Sequence, residues 1–202
     1  MRITIKAVFK RAAGTYGTGC CRNMELLKSI CHWIDFINIW VGRFVAWITA
    51  LVVAVVFVDV VMRYVFKISF VFTQELEWHL FAFIFLIGAG YTLFKDGHVR
   101  VDIFYQRMSP KAQAWINLIG VILFLIPGCL MIIITSLQFV HSSFIVMEGS
   151  PDPGGIPFRW LLKACIPAGF ILVLLQGISL GMKSLATILN LKLGETAEGE
   201  KR

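Results

Sequence analysis

Thr73-Gln74-Glu75-Leu76-Glu77-Trp78-His79 leads into a charge-free run from Leu80 to Phe94, and the chain leaves through Lys95-Asp96-Gly97-His98-Val99-Arg100-Val101-Asp102. A spanning helix needs about 20 residues at about 1.5 Å each, so the uncharged run alone is too short to cross a bilayer. Adding Phe72 to His79 supplies the missing turns and sets Glu75 and Glu77 near one interface. A carboxylate there faces water, a headgroup or a protein partner, because deeper burial costs several kcal/mol. The stretch reads as a membrane span, Phe72 to Phe94. Its Gly88, Ala89 and Gly90 form a thin patch that a neighbouring helix can approach closely.

Working outward, three more spans follow the same logic. The one before it covers about Ile39 to Met62, with an uncharged heart from Phe44 to Val58 and the pair Asp59 and Arg63 at its far end. Acid first and four apart is the favourable order for a helix pair. The two are either interfacial charges snorkelling to water or a polar clasp that also recruits Glu75, since only Tyr64 to Val71 separates the spans. Upstream, Leu26, Leu27, Ile30, Trp33, Ile34 and Ile37 oppose Lys28, His32, Asp35 and Asn38, the pattern of a helix lying at the interface before it turns inward or continues. Trp33, Trp40 and Trp47 lie seven apart, nearly on one face, the first two suited to an interfacial belt. The third span lies within the charge-free stretch Ala112 to Val140, with a kink expected at Pro127-Gly128. The fourth opens near Pro157, after the turn-rich Glu148-Gly149-Ser150-Pro151-Asp152-Pro153-Gly154-Gly155-Ile156, and runs to about Met182. Between spans two and three, Val101, Ile103, Phe104 and Met108 suggest a brief interfacial helix ended by Ser109-Pro110.

The composition agrees with an all-α membrane protein of four transmembrane helices with short interfacial amphipathic helices. Of 202 residues 58% are apolar and 15% charged, against about 25% charged in a soluble domain. Residues 1–25 read as a basic, disordered tail without a signal peptide, 26–185 as the membrane domain and 186–202 as a polar tail, with Met24 an alternative start to Met1. The net charge of +7 would suit nucleic acid, but the basic residues flank the apolar runs, as they do beside membrane lipid, so no nucleic-acid partner is expected. Fifteen of the 19 Lys and Arg residues fall on the side of the two termini and the 95–111 loop. The positive-inside rule then makes both termini cytoplasmic.

Motifs for catalysis are not found: no nucleotide loop, zinc-protease motif or serine elbow. Cys20, Cys21, Cys31, Cys129 and Cys165 have no metal spacing and form no disulfide framework. His79 and His141 fall near the ends of spans two and three, where they could ligate haem in a membrane anchor, but interfacial histidines bonded to backbone or water are the simpler reading. Paired Gly/Pro-broken spans, the mark of a transporter's own substrate site, are lacking, which argues for an accessory role and for no cofactor.

Arg63-Tyr64-Val65-Phe66, Gln74-Glu75-Leu76, Leu86-Ile87-Gly88-Ala89 and His98-Val99-Arg100-Val101-Asp102, followed by Ser150-Pro151-Asp152-Pro153, Pro157, Arg159-Trp160 and Leu175-Gln176-Gly177, resemble in order and spacing the small membrane subunit of tripartite ATP-independent periplasmic (TRAP) transporters. The resemblance covers about Ile39 to Lys183. The family often has paired acids where this chain has Gln74-Glu75, so a charge at the first position does not carry over. The resemblance implies an inner-membrane location and a large membrane subunit that moves substrate by a sodium-driven elevator motion. It further implies a periplasmic binding protein that captures an organic acid, with the small subunit as a fixed scaffold. Asp59, Arg63, Glu75, Gly88, Gly90, His98, Arg100 and Asp102 are the candidate structural or subunit-interface residues, and Asp152 and Arg159 the candidate docking residues for the binding protein. The alternative is a haem- or quinone-binding anchor of a redox enzyme.

Overall fold

The computed structural model describes residues 18–95, 105 and 107–189. Among the described residues, five α-helices run α1 Thr18–Tyr64, α2 Val71–Phe94, α3 Pro110–Gly120, α4 Ile126–Ile145 and α5 Arg159–Ile188. A π-helical turn, Val121–Leu125, joins α3 to α4, so the two form one rod. Four segments of the described residues are long and apolar enough to cross a membrane: Leu27–Tyr64, Val71–Phe94, Pro110–Ile145 and Arg159–Ile188. The all-α, four-span reading stands.

Helix α5 is central and packs against every other helix, most extensively against α2. Its inward face shows why. Gly169, Gly177, Ser179, Gly181, Ser184 and Ala186 are buried there, while Leu161, Ile171, Ile178 and Leu185 point outward. Small residues inside and large apolar residues outside is the inverse of a soluble core, and suits helices whose large side chains face lipid.

Three expectations need correction. Of the two courses open to the 26–38 stretch, turning inward or continuing, it continues unbroken into span one, with no separate interfacial helix. Its polar side is also not left to solvent: Asp35 and Asn38 are buried with Cys31 and Ile34, whereas Ile30, Trp33 and Ile37 are exposed, as is His32. In lipid the apolar face looks outward and the polar side chains seek partners inside, so the soluble-protein rule for amphipathic helices inverts. Span three is likewise longer than its charge-free stretch. Pro127, in the first turn of α4, has no N–H to give and its ring crowds the carbonyl four residues back, so the ladder widens into the π turn immediately before it. Finally, α5 starts two residues after Pro157 and runs to Ile188, through a buried Pro167, and so extends past residue 185; α1 in turn begins within the stretch read as a tail. Most of the interfacial helix expected over Val101, Ile103, Phe104 and Met108 lies outside the described residues; Met108 itself sits exposed in a bend before Ser109. Ser109 caps the start of α3, accepting from the Ala112 N–H at 3.3 Å.

Candidate functional site

Two polar clusters pin the bundle, one at each end. At the end formed by the loops 65–70 and 146–158, Glu75 on α2 is buried and points into the second loop. Its carboxylate accepts from the Ile156 N–H at 2.6 Å and from the Ser150 hydroxyl, and the Arg159 guanidinium stands 3.7 Å away. The Gly154-Gly155 pair is what lets the loop close over an acid. Gly154 sits at φ 82°, open chiefly to glycine, and a Cβ on Gly155 would stand 2.3 Å from the Ser150 hydroxyl and 2.6 Å from the Glu75 carboxylate. Phe158, held at φ 70° just before α5, turns the chain into the helix, and the Arg159 N–H ties back to the Glu148 carbonyl at 3.0 Å. The Arg159 guanidinium also lies 5.3 Å over the Trp78 ring, which packs on His79. Glu148 itself accepts from Ser143 at 2.5 Å and pairs with Lys163. Lys163, followed by Ser143, holds the Glu148 carboxyl below its ordinary value.

Asp59 and Arg63 form their own pair on α1, 2.5 Å apart, with Asp59 buried and Arg63 nearly half exposed. Glu75 does not join them. Its partners are Ser150, Ile156 and Arg159, which lie some 80 residues further along the chain.

At the opposite end Asp35 is the hub. It pairs with Lys183 at 2.6 Å and accepts from Gln176 at 3.1 Å and from Ser179 at 3.2 Å. Gln176 must turn its NH₂ to the Asp35 carboxylate, so its oxygen faces Asn38, whose NH₂ donates to it at 2.9 Å and to the Ile34 carbonyl at 3.1 Å. The Asn38 oxygen then fills the place where Gly90 lacks a side chain: a Cβ there would stand 2.5 Å from it. Sequence reasoning missed this cluster entirely. The signal was present: Asp35 and Asn38, like Gln176 and Ser179, are three apart and share a helix face.

Between the clusters, α2 and α5 touch backbone to backbone. A Cβ on Gly169 would lie 2.3 Å from the Leu86 carbonyl oxygen. Gly88 is less crowded, meeting only Val45 at 3.4 Å.

These features are those of a chain that locks its own helices together and leaves a broad apolar perimeter. The family model for the DctQ component of tripartite ATP-independent periplasmic transporters matches residues 52–185. The chain belongs to that family. It is also 30% identical over 129 residues to a Haemophilus influenzae protein named as a TRAP transporter small permease protein, across 63% of this chain and 78% of that one. No solved structure matches it.

In this TRAP small subunit, a multi-pass membrane protein, the candidate residues sort as follows. Asp59 with Arg63, Glu75 with Arg159, and Gly90 with Asn38 are contacts within the chain. Gln74, where the family often carries an acid, is exposed, whereas Glu75 faces inward. Arg159, expected on an open docking rim, is mostly covered and engaged with Glu75 and Trp78, while Asp152 is exposed. His98, Arg100 and Asp102 lie outside the described residues. The family match lends nothing to the redox anchor: the His79 Nδ1 bonds the Glu75 carbonyl at 2.6 Å, and His141 is exposed on α4.

Proposed function

We propose that this chain is the non-catalytic scaffold subunit of a sodium-driven, binding-protein-dependent transporter of organic acids. It would hold a large membrane subunit that carries both the substrate and the sodium. The observation behind this reading is the pairing of Asp35 with Lys183 at one end and of Glu75 with Arg159 at the other. The principal charged groups of the bundle are spent on binding its own helices, which suits a static part. Tagged chain is expected to bring the large subunit out of membranes in mild detergent. Proteoliposomes with both subunits should take up substrate in the presence of the binding protein and sodium, and the chain alone should not. Uptake by the chain alone would overturn the scaffold role.

We further infer that the chain sits in the inner membrane with both termini in the cytoplasm and the 146–158 loop in the periplasm, where the exposed Asp152 would contribute to a landing surface for the binding protein. The basic asymmetry supports this orientation. Ser150 is engaged with Glu75, so a labelling cysteine belongs at Asp152 instead. A membrane-impermeant thiol reagent should reach Asp152→Cys in intact cells of a cysteine-free background and miss Lys111→Cys. Labelling at Lys111→Cys alone would invert the topology.

A further inference from the structure

Between α2, α3 and α5, at the end where the 95–111 connection lies, the bundle leaves a cavity of about 410 Å³. Leu93, Leu180 and Ile116 wall it, with the π-turn residues Val121 and Leu125 behind and Gly120 as its floor. The packing explains why it stays open. Leu125 and Val121 lean on Gly177 and Gly181, where an added Cβ would meet them at 2.3 Å and 3.4 Å, so the π turn is held against α5. Gly120 has no side chain to send into the gap beside them, and a Cβ there would meet nothing within 4 Å. Ile116 at the rim is 45% exposed, so the space opens sideways rather than being sealed. Counted from Pro110, Ile116 and Leu125 lie about 9 and 22 Å along the rod, within the depth of the hydrocarbon. Wall atoms that face a void forfeit their dispersion contacts. Water would find polar side chains only at Tyr105 and Asn117, which already bond each other at 2.8 Å. An acyl chain suits this space in size and chemistry.

The charge at its mouth names the headgroup. Each wall leads to a cation on the same side: Leu93 to Lys95, Leu180 to Lys183, Tyr105 to Arg107, and α3 opens with Lys111. Lys95 and Lys183 converge on the Phe94 ring, at 5.6 and 5.9 Å. Lys183 is taken up by Asp35. Arg107 and Lys111 are exposed, and no carboxylate among the described residues pairs with either. Across the 95–111 connection the sequence sets Lys95, Arg100, Arg107 and Lys111 against Asp96 and Asp102, so this side stays positive. Basic pockets between transmembrane helices select anionic headgroups in this way. A helix about 10 Å across would fill the cavity with roughly a single turn, so a partner helix cannot lie along it, whereas one acyl chain can. We propose that the cavity holds one acyl chain of an anionic phospholipid, with the lipid phosphate beside Arg107 and Lys111. The site does not depend on the scaffold reading and would stand if that reading fell.

The test uses the full chain, purified in mild detergent, stripped of lipid and titrated with phosphatidylglycerol or with phosphatidylcholine of the same acyl chains. Native mass spectrometry should count one tightly held phosphatidylglycerol per chain, with phosphatidylcholine held more weakly. Gly120→Leu, which plugs the cavity, should weaken phosphatidylglycerol binding about tenfold, the effect of keeping only two methylenes of the chain from burial. Gly128→Leu should not, although its added carbon also meets nothing within 4 Å. Arg107→Gln and Lys111→Gln should each cut the preference for phosphatidylglycerol about fivefold, the worth of one basic residue beside anionic lipid, and leave phosphatidylcholine binding unchanged. Both side chains are exposed, so these variants should keep the melting temperature of the lipid-free wild type. A photo-crosslinking phenylalanine analogue at Ile116 in native membranes should give adducts to lipid. Adducts to a peptide of this chain or of another subunit would overturn the proposal, as would equal phosphatidylglycerol binding by the wild type and Gly120→Leu. Equal retention of the two lipids by the wild type would overturn the anionic headgroup.

Discussion

A single methyl group on Gly169 is expected to keep the bundle from closing. The new carbon would stand 2.3 Å from the Leu86 oxygen and 2.8 Å from its carbonyl carbon. Both belong to backbone, which has no rotamer to retreat into. Relief requires α2 and α5 to move apart along the largest interface in the molecule. Overpacking of this kind costs about 1–3 kcal/mol in soluble cores, and here the separation also strains the polar clusters at both ends. Gly169→Ala should lower the yield of monodisperse protein and its melting temperature, and Gly169→Val should leave almost none. Gly128→Ala is the control, since nothing lies within 4 Å of its added carbon. Equal stability of Gly169→Ala and Gly128→Ala would show that the helices do not meet at Gly169.

Glu75→Gln is expected to release the 149–157 loop. The carboxylate is acceptor on both oxygens, serving the Ile156 N–H, the Ser150 hydroxyl and Arg159. A carboxamide has an acceptor at one end only. Ser150 can reverse its hydroxyl, but neither the amide nor the guanidinium can. The carboxamide oxygen can stay on Ile156 with its NH₂ toward Ser150, so Arg159 loses its acceptor and the Ile156 bond falls from about 1.5–3 to about 0.5–1.5 kcal/mol; the Ile156 amide should exchange its proton about tenfold faster. Glu75→Ala should do more harm, because it strands Arg159, whose side chain is only 25% exposed. Unchanged exchange at Ile156 in the Gln variant would mean that Glu75 does not hold the loop.

The four spans were legible because charge-free runs of helical length have one reading in a chain this apolar. The turn chemistry of 148–157 was legible too, though not the close approach to Glu75 that Gly155 permits. The pairing of the charges was less so. Arg63, across a short loop from Glu75, was the expected partner, but it already serves Asp59 one turn away on its own helix. Glu75 instead faces α5, and sequence distance says nothing about facing. Asp35 and Asn38 were misread for a different reason. Their helix is amphipathic in the ordinary sense, and only the presence of lipid decides which side is inside. The resemblance to the TRAP small subunit carried the family, which the residues by themselves could not have named.

The placement of the two polar clusters has a mechanical consequence. Glu75 and Gly90, which mark them on α2, are fifteen residues apart, or about 22 Å along the helix axis. One anchor would leave α5 free to pivot about it. Two anchors that far apart remove both the pivot and the slide, because a one-turn ratchet of α5 along α2, about 5.4 Å, would have to break Glu75–Arg159 and Asn38–Gln176 in the same event. The large subunit proposed above, rising and falling in the membrane, would exert drag on whatever it touches. A bundle bolted at both faces of the bilayer can take that load as a rigid bearing wall without paying it out as motion of its own.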